Sequence, residues 1–269
     1  MRKKFLEFSF WTFYHKLGKR LTGQAFLFFM NVVSKKGVKY RFDKPLFNIT
    51  ERESSNTVHY FIKPRAVMYR YGLKRRVSAV AKSYLLDQIH FDNDDLVVDV
   101  GANCGDLIPY FTKQRYLGFE PSPAEFKALQ QNSKSNCKIY NIAISDKEVE
   151  ADFYISSAGA DSSLHKPPLV EKIIRVKQIR LDKFINERIK LLKVDAEGAE
   201  VEVINGAKNL LSKIEFIAID LGFEKGIEQE NTAPPVFNFL YQNDFILYAV
   251  GKQERYLFQN SKISSNKNY

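Results

Sequence analysis

The chain has 269 residues, 45% of them hydrophobic and 27% charged, which is enough for one full core and an appendage in an ordinary soluble globular protein. Its net charge of +10 is unevenly placed: residues 1–90 hold 19 Lys and Arg against 5 Asp and Glu, leaving 22 against 26 for residues 91–269. Two cysteines, Cys104 and Cys137, exclude a disulfide framework and lack metal-ligand spacing, so free thiols in a reducing, cytoplasmic setting are expected.

Residues 1–90 read as a basic, aromatic extension. Its longest clean apolar run, Ala25 to Met30, is far short of the ~20 residues that span a bilayer, and no small-residue cleavage site follows it. Phe5, Phe8 and Trp11, with Phe13 and Tyr14 nearby, form an apolar side. It suits either a peripheral membrane contact through residues 1–36, at the inner face of the membrane, or packing on the protein's own core. Residues 38–90 mix polar and aromatic stretches, with YRYGLKRR a basic cluster and AVAKSYLLDQI helix-like. The basic excess suits anionic lipid or phosphate-bearing substrates, while the remainder of the chain shows no general nucleic-acid footprint. His15, His59 and His90 have no catalytic context.

From Leu96 a regular alternation begins. Strand-like LVVDV is followed by helix-like DLIPYFTKQ, YLGFE by PAEFKALQQNS, and CKIYNIAI by a turn at Ser145 and Asp146. Two alternating segments, EADFYIS and IIRVKQIRL, then flank SSAGADSSLHKPP and read as an inserted β arm. The rhythm resumes with strand IKLLKVD, helix AEVEVINGAKNLL, strand EFIAIDL, a helix around Ala233 to Asn243, strand FILYAV and a returning antiparallel strand ERYLFQN. The pattern predicts an α/β, Rossmann-like, doubly wound and mostly parallel sheet of about seven strands over residues 91–260, with a polar tail at 261–269 that is expected to fray.

In such a sheet the ligand sits at the carboxyl ends of the strands, and the first strand-to-helix turn is the usual contact. Here that turn is LVVDVGANCGD, with Gly101 and Gly105 four apart. Glycine there is either structural punctuation or a cradle that lets a ligand approach the backbone. The second strand ends in GFEPSP, placing Glu120 nineteen residues after Gly101, where a carboxylate can accept hydrogen bonds from both hydroxyls of a ribose. The GxxxG spacing, with Asp106 opening the next segment, is not the GxGxxG of a pyrophosphate site. A cationic nucleoside, S-adenosylmethionine, suits a loop beside Asp99 and Glu120 better than NAD or a nucleotide.

These segments resemble the FkbM-type methyltransferases, a family of S-adenosylmethionine-dependent O-methyltransferases. The matching stretches are VVDVGANCGD, GFEPSP, NIAISD, ADSSL, RLDKF, LLKVDAEGAEVEVINGA and IAIDLG, covering about residues 96–222, and DAEGAE is the most family-specific of them. The resemblance implies a class I methyltransferase fold in which Asp99, Gly101, Asn103 and Gly105 contact the methionine part of the cofactor and Glu120 the ribose. It places Ala143 near the adenine, and it allows both polysaccharide and small natural-product hydroxyls as acceptors.

A sugar hydroxyl is a poor nucleophile, so a base, or a metal that lowers its pKa, helps the transfer. The strand IKLLKVD delivers Asp195 to the carboxyl edge of the sheet, with Glu197 two residues later. This pair is expected to bind or deprotonate the acceptor, or to hold a divalent cation such as magnesium with Asp220. The competing role is that Glu197 and Glu200 cap the following helix. His165, on the arm, is a third candidate for the base. Ser162 and Ser163 either touch the cofactor or make turn hydrogen bonds, and Lys193 and Cys104 read as filler. The expected acceptor is a hydroxyl of a carbohydrate, surface polysaccharide or glycolipid precursor. Methylation of a nucleic acid, for which no NPPY or DPPY motif appears, and a non-catalytic membrane-associated subunit are the rival readings.

Overall fold

The computed structural model describes residues 20–52, 56–156 and 162–264. The aromatic side drawn from Phe5 to Tyr14, and His15, lie outside the described residues. Two compact units, Met1–Arg76 and Val77–Tyr269, make up the chain.

The first unit holds helix α1 (Gly23–Val33) and an antiparallel meander of β1 (Val38–Asp43), β2 (Leu46–Glu51) and β3 (Asn56–Tyr60). The meander lies within the stretch read only as mixed polar and aromatic. Alternation creates it: Val38 and Tyr40 are buried while Lys39 and Arg41 face outward. Asn31 ties α1 to the sheet by accepting from the Tyr40 amide at 2.9 Å and donating to the Tyr40 carbonyl at 3.2 Å.

Helix α2 (Leu73–Ser83) leads into the second unit, and the division between units falls fourteen residues before the boundary read at residue 90. The reason is burial: Ala81, Tyr84, Leu85, Leu86 and Ile89 belong to the same apolar cluster as Val97 and Phe111. The second unit contains β4 (Leu96–Val100), β5 (Arg115–Phe119), α3 (Pro123–Asn132), β6 (Cys137–Tyr140), β7 (Ala143–Ile144), β8 (Glu150–Ser156), β9 (Val170–Ile179), α4 (Leu181–Phe184) and β10 (Ile189–Val194). It continues with α5 (Glu200–Gly206), β11 (Ile214–Asp220), the small hairpin β12 (Phe223–Lys225) and β13 (Glu230–Asn231), α6 (Ala233–Gln242), β14 (Phe245–Val250), β15 (Arg255–Asn260) and α7 (Ser261–Ser264).

Seven strands form one sheet in the order β14-β15-β11-β10-β4-β5-β6. All neighbours pair in parallel except β15, which runs antiparallel to both β11 and β14, as its sequence position after a short turn predicts. This is the expected class I methyltransferase fold. Strand β4 shows how it is double-wound: Leu96, Val98 and Val100 enter one core cluster and Val97 the other. The expected arm is present, with β8 antiparallel to β9 and β7 parallel to it on the other side.

Two expectations fail locally. DLIPYFTKQ is not a helix but a run of turns, with bonds from Ile108 N to Gly105 O, Tyr110 N to Leu107 O and Phe111 N to Ile108 O. Pro109 has no N–H to give and pushes the residue before it out of the helical region. Ser261 to Ser264, placed in the fraying tail, instead form α7, pinned by bonds from the Ser261 amide and hydroxyl to the Asp244 carbonyl and by Lys262 on the Asp244 carboxylate at 2.6 Å.

At the amino end of the sheet a buried ion pair joins β10 to β11, Lys190 Nζ to Glu215 Oε1 at 2.9 Å, with only 5% and 4% of the two side chains exposed. Glu215→Ala would leave the ammonium buried without its carboxylate, and is expected to cost about 3–5 kcal/mol in urea unfolding. Replacing both partners by Leu and Met should cost less, and an unchanged midpoint for the single variant would remove the pair from the stability argument.

Candidate active site

The sheet reverses direction between β4 and β10, because the chain leaves β4 toward β5 and β6 on one side and leaves β10 toward β11 on the other. At the end of β4 the amides of Gly101 and Ala102 both donate to the Phe119 carbonyl at 3.0 Å, folding the turn tightly over β5. Gly101 has φ +74, and a Cβ there would stand 1.8 Å from the Asp195 carbonyl oxygen. At Gly105, φ +82, a Cβ would meet the side chains of Ile108 at 2.7 Å and Leu129 at 2.9 Å. The protein itself fills the room these two glycines leave, so they close the loop onto β10 and α3. The idea that the missing side chains clear space for a ligand is corrected accordingly.

Glu120 follows β5 and is buried. Its Oε2 accepts from the Asn103 amide and its Oε1 from the Ser122 amide, each at 2.8 Å. Asn103 reaches that bond through a left-handed φ of 50°. Burial pushes the Glu120 carboxyl up to about 7, with the Ser122 and Asn103 amides pulling the other way. A carboxylate has about four acceptor positions, so two remain for the pair of hydroxyls expected on a ribose. Asn141 braces the same corner from the end of β6, donating to the carbonyls of Glu120 and Pro121 at 2.8 and 2.9 Å.

Lys193 is the largest departure from the sequence reading. It is buried, and its Nζ lies 2.9 Å from Asp99 Oδ1, 2.8 Å from the Gly101 carbonyl and 3.7 Å from Asp195 Oδ2. Burial disfavours the ammonium, but Asp99 and Asp195 outweigh it and raise its pKa. Asp99 takes a second bond, at 2.5 Å, from the Tyr116 hydroxyl, whose own pKa burial and that carboxylate push far up. Asp99 thus has protein partners on both oxygens.

Asp195 stands just past β10 with its side chain 25% exposed. The Tyr84 hydroxyl donates to its Oδ2 at 2.5 Å, while Oδ1 has no hydrogen-bond partner among the described residues. The Tyr84 ring in turn has two cations over it, the Lys193 ammonium at 5.2 Å and the Arg255 guanidinium at 4.4 Å from its centroid. Arg255 is fixed by Asp220 Oδ2 and by Ser83 Oγ, each at 2.7 Å. Burial and then Asp195 push the Asp220 carboxyl up, against Arg255. The expected cation site of Asp195, Glu197 and Asp220 is not formed: no group of three or more His, Cys, Asp or Glu able to hold a metal ion occurs among the described residues. Protein cations already sit on Asp195 and Asp220.

No side-chain bond caps α5 at its first residue, and Glu200, in the first turn, holds the preceding loop instead. Its Oε1 accepts from the amides of Ala196 and Gly198, both at 3.0 Å, so the loop wraps around a buried carboxyl whose pKa burial lifts to about 7. Glu197 sits between those amides, half-buried, at a left-handed φ of 50°. His165 is not joined by a hydrogen bond to Asp195 or Glu120. Its Nε2 lies 3.2 Å from Glu202 Oε1 on α5, which Lys225 also holds at 2.8 Å. Burial opposes, but His165 and Lys225 prevail and lower the Glu202 carboxyl to about 2. Ser162 and Ser163 make turn bonds, to the amides of Ser156 and His165. Ala143 is buried with Phe153 and Val176 in the arm.

The methyltransferase FkbM domain model matches residues 99–251, more than half of the chain. Methyltransferase 1 of Beauveria bassiana is 25% identical over 218 residues, 60% of this chain and 87% of that protein. The hexuronic acid methyltransferase AglP of Haloferax volcanii is 26% identical over 144 residues, 48% of this chain and 57% of that protein. The 2-O-methyltransferase NoeI of Sinorhizobium fredii is 23% identical over 219 residues, 71% and 90% of the two chains. Among solved structures, an FkbM methyltransferase from Methylobacillus flagellatus aligns at 15% identity and a TM-score of 0.45, over 64% of this chain and 45% of that one. With its seven-stranded sheet, its glycine turn and its matched domain, the chain belongs to the FkbM-domain methyltransferases and is an S-adenosylmethionine-dependent enzyme.

Proposed function

We propose that this methyltransferase acts on a hydroxyl of a carbohydrate, in a surface polysaccharide or a glycolipid precursor. The observation that carries the reading is Asp195: one oxygen is anchored by Tyr84, the other has no hydrogen-bond partner among the described residues, and the residue borders the Gly101 turn. Two curated relatives, named for hexuronic acid and for 2-O methylation, support the same acceptor class.

The residues present fit the cofactor. Glu120 keeps two acceptor positions for the ribose, and the Asp99 and Gly101 turn is rigid enough to seat the methionine part. When bound, the cofactor supplies a methyl group on a positively charged sulfur, which leaves as a neutral thioether. Asp195 Oδ1 accepts the hydroxyl proton as the acceptor oxygen forms its bond to carbon. Tyr84 positions that carboxylate, and orientation of this kind can supply about 7–11 kcal/mol of the barrier. Glu197 is proposed to bind a neighbouring hydroxyl of the sugar, and Ala143 to border the adenine. With His165 committed to Glu202, Asp195 is the base of this reading.

The test is incubation of the full chain with methyl-labelled S-adenosylmethionine and a panel of hexuronic acid and neutral hexose glycosides, with methyl esters separated from ethers by mild alkali. An alkali-stable methyl on a sugar is the expected product. Label on protein or RNA alone would overturn the reading. Asp195→Asn should keep S-adenosylhomocysteine affinity within about threefold while turnover falls at least about 100-fold. Tyr84→Phe should lower kcat about tenfold at unchanged KM, and normal turnover in Asp195→Asn would remove Asp195 from the mechanism.

Glu120 and Glu200 generate a paired pH prediction. Both carboxyls are raised from 4.5 to about 7, so between those values the folded protein binds more protons than the unfolded chain, and stability falls as pH rises through that window. The melting temperature of the protein without cofactor should therefore climb as pH drops from 7.5 to 5.5. The ribose hydroxyls need the ionised Glu120, so S-adenosylhomocysteine affinity measured by calorimetry should weaken over the same range. The two curves run in opposite directions, and a Glu120→Gln variant should flatten the affinity curve. Parallel curves would sink the assignment.

A further inference from the structure

Helix α1 leaves an apolar row uncovered. Phe26, Leu27, Phe29 and Met30 are buried within the first unit, whereas Phe28 is 72% and Val32 65% exposed. The two lie four residues apart and therefore share one face of the helix. Arg20 before the helix and Lys36 after it are exposed, so the row is bracketed by cations. The charge of the unit is one-sided: residues 20–76 contain thirteen Lys and Arg against three Asp and Glu, and all of those basic residues except Arg65 and Arg70 reach its surface.

We propose that this face of α1 docks the protein on an anionic lipid bilayer, with Phe28 and Val32 entering the acyl boundary and the basic residues meeting the headgroups. An anionic bilayer offers both an apolar layer and negative charge, and so matches both halves of the surface. A nucleic acid offers phosphates, but its outer backbone has no apolar layer for an exposed Phe and Val. The contact is peripheral. Eleven residues of helix reach about 16 Å, half of the ~30 Å hydrocarbon core, and no helix among the described residues is long and apolar enough to cross a membrane. The docking face and the methyl-transfer reading stand on different residues.

The experiment is sedimentation of the full chain with vesicles of phosphatidylcholine alone and of phosphatidylcholine with 30% phosphatidylglycerol, at 0.1 M salt, with and without excess tRNA. The wild type should pellet with the anionic vesicles and not with the neutral ones. Phe28→Ser combined with Val32→Ser should weaken that binding about tenfold or more. Both positions are exposed, so the melting temperature and S-adenosylhomocysteine affinity of the variant should match the wild type. A second variant, Lys36→Glu, should weaken anionic binding without touching the apolar row. The proposal is overturned by absence of anionic binding, by undiminished binding of the double variant, or by tRNA displacing the vesicles with an affinity that the double substitution leaves unchanged. If neither protein binds S-adenosylhomocysteine, the cofactor reading fails while the sedimentation result keeps its meaning.

Discussion

One buried ammonium, that of Lys193, holds the carboxyl edge of the sheet. Strands β4 and β10 pair in parallel up to Val100 and Val194, after which both chains turn away and leave polar groups that need partners. Lys193 donates to the Gly101 carbonyl and neutralises Asp99, so a single side chain from β10 stabilises the turn that follows β4. The Asp195 carbonyl, two residues on from Lys193, occupies the space a side chain at residue 101 would need. The Gly101 turn therefore has one place to sit. That placement brings the Asn103 amide to Glu120, and the Glu120 carboxylate is positioned through the same chain of contacts.

The charges in this network do not balance. Asp99, Asp195 and Asp220 contribute three formal negative charges against the two positive charges of Lys193 and Arg255. In a weakly screened interior an uncompensated charge is costly, and a positively charged ligand relieves it. A sulfonium suits such a surface better than a nucleotide does. The network also bears on the unformed metal cluster: two of the three carboxylates read as candidate ligands, Asp195 and Asp220, carry protein cations.

The sheet, its antiparallel last strand and the arm were legible because each rests on local patterning, such as the apolar run Leu96 to Val98 that opens β4 or the alternation in β8. Glu120 was singled out by its distance to the glycine turn, and the structure places it against that turn through the Asn103 amide. Lys193 was misread, although a lysine inside the buried strand IKLLKV needs a partner, and that was signal enough to ask for one. The turns after Gly105 were misread because an apolar spacing of helical period outweighed one proline. Tyr84 left no trace of its role. Its partner Asp195 is 111 residues away in the chain, and only tertiary packing brings the two together.

Tyr84 and Arg255 also lie outside the matched domain, on either side of residues 99–251. The matched segment supplies the turns, Lys193 and Asp195, but not the hydroxyl that orients the Asp195 carboxylate, nor the guanidinium that packs on the ring bearing that hydroxyl. It lacks Leu96, Val97 and Val98 of β4 and all of β15, whose antiparallel pairing with β11 and β14 completes the sheet. The flanking residues thus close the core and aim the carboxylate at once. The geometry around Asp195 is a property of the whole second unit, and a change in either flank reaches the Asp195 carboxylate through Tyr84.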